Sequence, residues 1–179
     1  AAATRDYLEL IKRIPDSPET VRAYMALAEF AIDANKHADA IKYLSEIEKR
    51  PESPHYPFAL YKLAWSHFNL KQVEFALFYT ERHVRYYERQ ETRGSSHADA
   101  ALRENMLLDS TVFYFEGYEQ KLPQFAISEA MPFFRKLDSS VILGKMALRF
   151  ARLLRSHGYD ADLIAWKDQM LTSESSRPE

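Results

Sequence analysis

The chain has 179 residues, 46% apolar and 28% charged, with 24 Lys and Arg against 26 Asp and Glu. That balance suits a globular chain with a core and excludes both wholesale disorder and a global basic field for nucleic acid or an anionic membrane. With no Cys there are no disulfides, thiolate zinc sites or Cys nucleophiles, and 4 Gly are too few for phosphate-cradling loops or a turn-dense β fold.

The chain opens Ala1-Ala2-Ala3-Thr4 without Met and without a charged-then-apolar leader, as a processed or cut chain would. No apolar run reaches the ~18–20 residues of a membrane span. Tyr7 to Pro18 aligns with Tyr43 to Pro54 at an offset of 36, matching Tyr7/Tyr43, Leu8/Leu44, Ile11/Ile47, Pro15/Pro51, Ser17/Ser53 and Pro18/Pro54. The same offset carries Ala23 to Ala59, Leu27 to Leu63, Ala28 to Ala64 and Ala40 to Ala76. One register held over this span marks an internal repeat.

Residues 4-18 form a partial unit. In 19-54, Val21, Tyr24, Leu27, Ala28, Ala31 and Ile32 recur at helical spacing after Pro18 and Glu19, which suit a helix start. Asn35-Lys36 breaks the pattern. A second helix carries Ala40, Ile41, Tyr43, Leu44 and Ile47 and ends before Pro51. In 55-93 the pattern predicts helices from Tyr56 to Leu70 and from Val73 to about Gln90.

These residues resemble the tetratricopeptide repeat family. Its pattern is matched by Tyr24, Leu27, Ala28, Ala40, Leu44 and Pro51, then by Leu60, Leu63, Ala64 and Ala76. Thr80 and His83 depart from it. The resemblance runs from Tyr7 to about Val84. It implies an all-α chain, a right-handed superhelical stack of antiparallel helix hairpins (a TPR-like α-solenoid), here drawn as a single domain, 1-179. It also implies a non-catalytic scaffold that binds a peptide or helix of a protein partner. Repeats rich in Tyr and Phe with a Leu-Ala pair further resemble bacterial cell-envelope members, which favours part of a larger bacterial assembly and the envelope over the cytoplasm.

Beyond a polar break at Glu91 to Ser96, residues 95-138 read as a degenerate helix pair. The first helix runs from about His97 to Glu116 and Gly117 stops it. An extended connection covers Tyr118 to Ile127. The second helix carries Ala130, Phe133, Phe134 and Leu137, with Ser128 as its N-cap, so that Pro132 lies near the first turn where its missing N–H costs little. A last degenerate pair, 139-172, begins with a cap at Ser139 or Ser140. It carries Val141, Leu143, Met146, Ala147, Phe150 and Leu154 to near Gly158, then a helix from about Asp160 to Leu171. Polar residues on that helix (Asp160, Asp162, Lys167, Asp168, Gln169) suit a capping unit, unless both ends continue into a longer array. A polar tail, 173-179, is expected to be disordered.

In the resembled family, first helices line the concave binding surface. Phe58, Tyr61, Trp65, Phe68 and Asn69 share one side of such a helix, while Leu60, Leu63, Ala64 and His67 form a neighbouring core side. The matching face of the preceding helix carries Arg22, Met25, Glu29, Ile32 and Asp33. The expected partner-binding residues are therefore Arg22, Met25, Glu29, Phe58, Tyr61, Trp65, Phe68 and Asn69. The aromatic rings anchor, Asn69 and Arg22 fix register, and Glu29 and Asp33 select against acidic ligands. The competing reading has neighbouring hairpins cover the rings. The family's clamp on a C-terminal carboxylate is rejected, because Met25, Glu29, Tyr61 and Trp65 stand where Lys, Asn and Arg are needed.

An alternative surface is the stripe Arg82, Arg85, Arg89 and Arg93 beside Tyr79, Tyr86 and Tyr87, suited to nucleic acid or an acidic ligand. Glu81, Glu88 and Glu91 interleave with it, which favours an acidic protein segment. Six His form no i, i+4 zinc pair, and His67 and His83 fall where side chains pack between helices. No HExxH, GxSxG, Walker or GxGxxG motif occurs, so no metal, cofactor or catalytic site is expected.

Overall fold

The structure, a computed structural model, describes residues 2–92 and 99–174. Among them are helices and no strands: α1 (Ala2–Arg13), α2 (Pro18–Asp33), α3 (His37–Glu48), α4 (Tyr56–Asn69), α5 (Val73–Thr92), α6 (Ala100–Glu119), α7 (Ile127–Leu137), α8 (Val141–Ser156) and α9 (Asp160–Glu174). Among the described residues, no helix is long and apolar enough to cross a membrane. The chain divides into two compact units, Ala1–Gly94 and Ser95–Glu179.

In the first unit each helix packs on its successor: α1 on α2, α2 on α3, α3 on α4 and α4 on α5. The Ser17 side chain accepts from the Thr20 N–H at 3.2 Å, and Pro18 occupies the first helical position, where no donor is needed. Three residues join α2 to α3 and three join α4 to α5, so the chain must reverse at each. Both reversals use a left-handed residue, Asn35 (φ 56) and Lys71 (φ 60), which stand 36 apart. Both close with the same bond: Lys36 N–H to Ala31 O (2.7 Å) and Gln72 N–H to His67 O (3.0 Å). Ala28, Ala40, Ala64 and Ala76 are fully buried, which lets the helix axes approach closely. Glu48 of α3 accepts from Tyr79 and Arg82 of α5, and Arg82 also donates to the Tyr56 hydroxyl of α4 at 3.0 Å, tying three helices.

The second unit is arranged differently. Here α6 packs mainly on α8, α8 on α9, and α7 touches α9, α8 and α6. Its centre is aromatic: Tyr114, Phe134, Phe150 and Trp166 meet with centroid separations of 4.9–6.0 Å. Asp99 caps α6, accepting from the Leu102 N–H at 3.0 Å, and the Ser140 hydroxyl caps α8, accepting from the Ile142 N–H at 3.3 Å. The sequence expectation that α6 starts near His97 falls outside the described residues.

Three sequence expectations are corrected here. Gly117 does not stop α6. The helix continues to Glu119 and closes on Lys121 (φ 56), with Leu122 N–H bonded to Gly117 O at 3.2 Å. The connection is not extended throughout, since Pro123–Phe125 makes a 3-10 turn. Ser128 is not the N-cap of α7. Ala126, extended at φ −62 and ψ 155, takes that place without a side-chain bond, and the Tyr114 hydroxyl holds its carbonyl at 2.9 Å. This tertiary bond holds the N-cap of α7 at Ala126, two residues before Ser128. Pro132 consequently sits inside the helix and removes the donor for the Ser128 carbonyl, a loss eased by the exposure of Ser128. At the other end, α9 runs on to Glu174, and residues 175–179 lie outside the described chain.

Gly117 is needed for space. A Cβ there would lie 2.2 Å from the ring of Phe125, itself buried, whereas a Cβ at Gly144 in α8 meets nothing within 4 Å. Both are helical, so alanine propensity alone favours replacement of each by up to ~1 kcal/mol. Gly144→Ala is expected to raise stability by about that much, while Gly117→Ala is expected to lower it by about 1–3 kcal/mol through overpacking. Denaturant midpoints moving the same way for both would overturn this account of Gly117.

Candidate functional site

Helix α4 buries one side completely and leaves the adjoining side partly open. Leu60, Leu63 and Ala64 are fully buried and His67 nearly so. His67 stacks against Phe75 and Tyr79 (5.1 and 5.3 Å), and its Nδ1–H donates to Gln72 Oε1 at 2.7 Å. Burial pushes the His67 imidazole below its ordinary pKa, and the Gln72 bond opposes that shift. His83 is fully buried as well.

On the adjoining side Tyr61 and Trp65 are half-buried. They line a depression of about 270 Å³ together with Ile32, His37, Lys62, Ser66 and Asn69. Three elements build it: the end of α2, the start of α3 and one face of α4. Phe68, also half-buried, sets its ring edge-on to Trp65 at 5.3 Å, and Phe58 is exposed one turn before Tyr61 on the same helix. Asn69 is exposed, and its Nδ2 donates to the Trp65 carbonyl at 2.8 Å, so that half of its amide closes its own helix. Glu29 accepts from Lys62 at 3.1 Å, which ties α2 to α4 and neutralises the acid there.

Of the eight expected residues, Tyr61, Trp65 and Asn69 line this depression. Phe58 and Phe68 lie on the same helix, and Glu29 touches Lys62, a lining residue. Met25 is buried among the core side chains. Arg22 is exposed and lines a different groove with Arg50, Asp16 and Glu52. His37, Lys62 and Ser66 enter the site unannounced by the sequence reading. Lys62 and Ser66 follow Tyr61 and Trp65 directly, so only the packing of α3 against α4 shows that they face the same hollow.

Of the arginine stripe, Arg82 is committed to Glu48 and Tyr56 and stacks on Phe78 and Tyr79 at 5.6 and 5.8 Å. Arg85 pairs with Glu81 at 2.8 Å, and Arg89 is exposed. Arg93 lies outside the described residues.

No family model matches the chain, and no curated protein matches it significantly. Among the described residues, what the fold itself defines is an all-helical arrangement whose first unit is a succession of packed helices with two like reversals 36 residues apart.

Proposed function

We propose that this chain is a non-catalytic scaffold of tetratricopeptide type. In this reading its first-unit hairpins stack as a right-handed superhelix, and the Tyr61–Trp65 depression receives a peptide or helix of a protein partner. One observation carries the reading. Helix α4 already buries a full face in the core, yet it keeps two large rings half-open over a hollow lined by α2 and α3. A helix that only needed to fold would have one apolar face, not two. Desolvating such rings supplies the binding free energy, Asn69 Oδ1 offers a directional acceptor, and the Glu29–Lys62 pair sets the charge at the rim.

The test uses the chain's two tryptophans, Trp65 and Trp166. Trp166 is fully buried and Trp65 is not. Iodide is expected to quench Trp65 emission and spare Trp166, and a bound partner is expected to protect Trp65. Trp65→Ala is expected to keep the helical circular dichroism and to weaken partner capture by about tenfold or more. Unfolding of Trp65→Ala, or capture equal to wild type, would end the proposal.

A further inference from the structure

A second groove, of about 850 Å³, runs between the segment after α3 and one face of α5. Its walls include Tyr56, Phe78, Arg82, Arg85, Tyr86 and Arg89. The three arginines differ in how firmly they are held. Arg82 is fixed by Glu48, by Tyr56 and by the rings beneath it, so it is part of the wall. Arg85 is exposed and holds Glu81 one turn back, an exposed i, i+4 pair that an incoming anion readily exchanges. Arg89 is exposed, one turn further along, and forms no ion pair among the described residues. Two guanidinium forks one turn apart thus border rings that can cover the apolar part of a ligand, with Tyr56 and Tyr86 in contact at 5.4 Å.

We infer that this groove is a second contact surface, taking carboxylate side chains set among apolar residues in an acidic segment of a protein. The choice of protein over nucleic acid rests on charge. Glu81, Glu88 and Glu91 alternate with the arginines on α5, Glu52 lines the groove, and the whole chain carries −2. A continuous row of phosphates meets those acids at every turn and gains little from counterion release. A separated carboxylate reaches a guanidinium bidentately while its apolar neighbours settle on Phe78 and Tyr86. This surface is independent of the Tyr61–Trp65 reading.

The probe is a soluble copolymer of glutamate and tyrosine, with polythymidylate as the comparison polyanion. Wild-type chain is expected to bind the copolymer more tightly than polythymidylate, with affinity falling as salt rises. The double variant Arg85→Ala/Arg89→Ala is expected to lose about tenfold or more, and the corresponding Lys pair to recover part. Circular dichroism checks that the alanine pair is folded, and Arg89→Ala alone gives the same reading if it is not. Failure of the wild type to bind, equal binding by the alanine variants, or tighter binding of polythymidylate overturns the inference.

Discussion

Trp166→Ala is expected to be the most destabilising single change in the second unit, by about 3–5 kcal/mol. The indole is fully buried, meets Phe150 at 4.9 Å and Phe134 at 6.0 Å, and donates its Nε1–H to the Ala147 carbonyl at 3.0 Å. Alanine leaves a cavity, deletes two edge-on ring contacts and removes the bond that joins α9 to α8. Whole domains are stable by only about 5–15 kcal/mol, so the loss is a large share. Slow amide exchange in α7, α8 and α9 should disappear and the denaturant midpoint should fall. Trp166→Phe keeps most of the volume and should recover more than half of the loss. A midpoint shift below about 1 kcal/mol for the alanine variant would contradict the packing described, since a fully buried aromatic has no cheap route out.

Asp138→Ala is expected to cost about 3 kcal/mol by a different route. Asp138 ends α7 and is nearly inaccessible. One oxygen accepts from Arg103 of α6 at 2.8 Å. The other accepts from the Ser140 N–H at 2.7 Å and the Ser140 hydroxyl at 2.5 Å, just where α8 begins. Three helices therefore meet on one carboxylate. Removing it strands the largely buried guanidinium of Arg103 and frees the α8 cap together. Asp138→Asn separates the two contributions. It keeps an acceptor for Ser140 and loses the charge, so it should remain close to the alanine variant if the ion pair dominates. Near-wild-type stability of Asp138→Asn, measured in denaturant, would show that the cap carries the effect and the Arg103 pair does not.

Both changes act at places that local pattern does not reveal. Trp166 stands among Asp160, Asp162, Lys167 and Asp168, and that company reads as a solvated capping helix. Its burial depends on Phe134 and Phe150, which come from other helices. Gly117 is similar. Within its own helix it looks like a terminator, and only the ring of Phe125, brought back over it by the 3-10 turn, explains why no side chain fits there. Ser128 has the chemistry of a cap, but Ala126, whose carbonyl the Tyr114 hydroxyl holds, takes the capping geometry instead.

In the first unit more could be read directly. Ser17-Pro18, Asn35-Lys36 and the 36-residue spacing place helix ends through interactions within a few residues, and such interactions are properties of the chain itself. The same spacing placed Leu60, Leu63, Ala64 and His67 on one side of a helix and Tyr61 and Trp65 on the next. What it left open was how much of that second side a neighbour would cover. Met25, one turn from Arg22 and Glu29, ends up buried while they remain exposed, and Trp65 keeps an open edge beside Ile32 and His37.

The chain alone therefore determined that it is helical, where its first-unit helices begin and end, and which faces are apolar, because periodicity and capping are short-range. Tertiary packing alone decided which apolar face is sealed, which glycine serves as a contact, and which carboxylate joins three helices. Each of those depends on atoms brought together from distant parts of the chain.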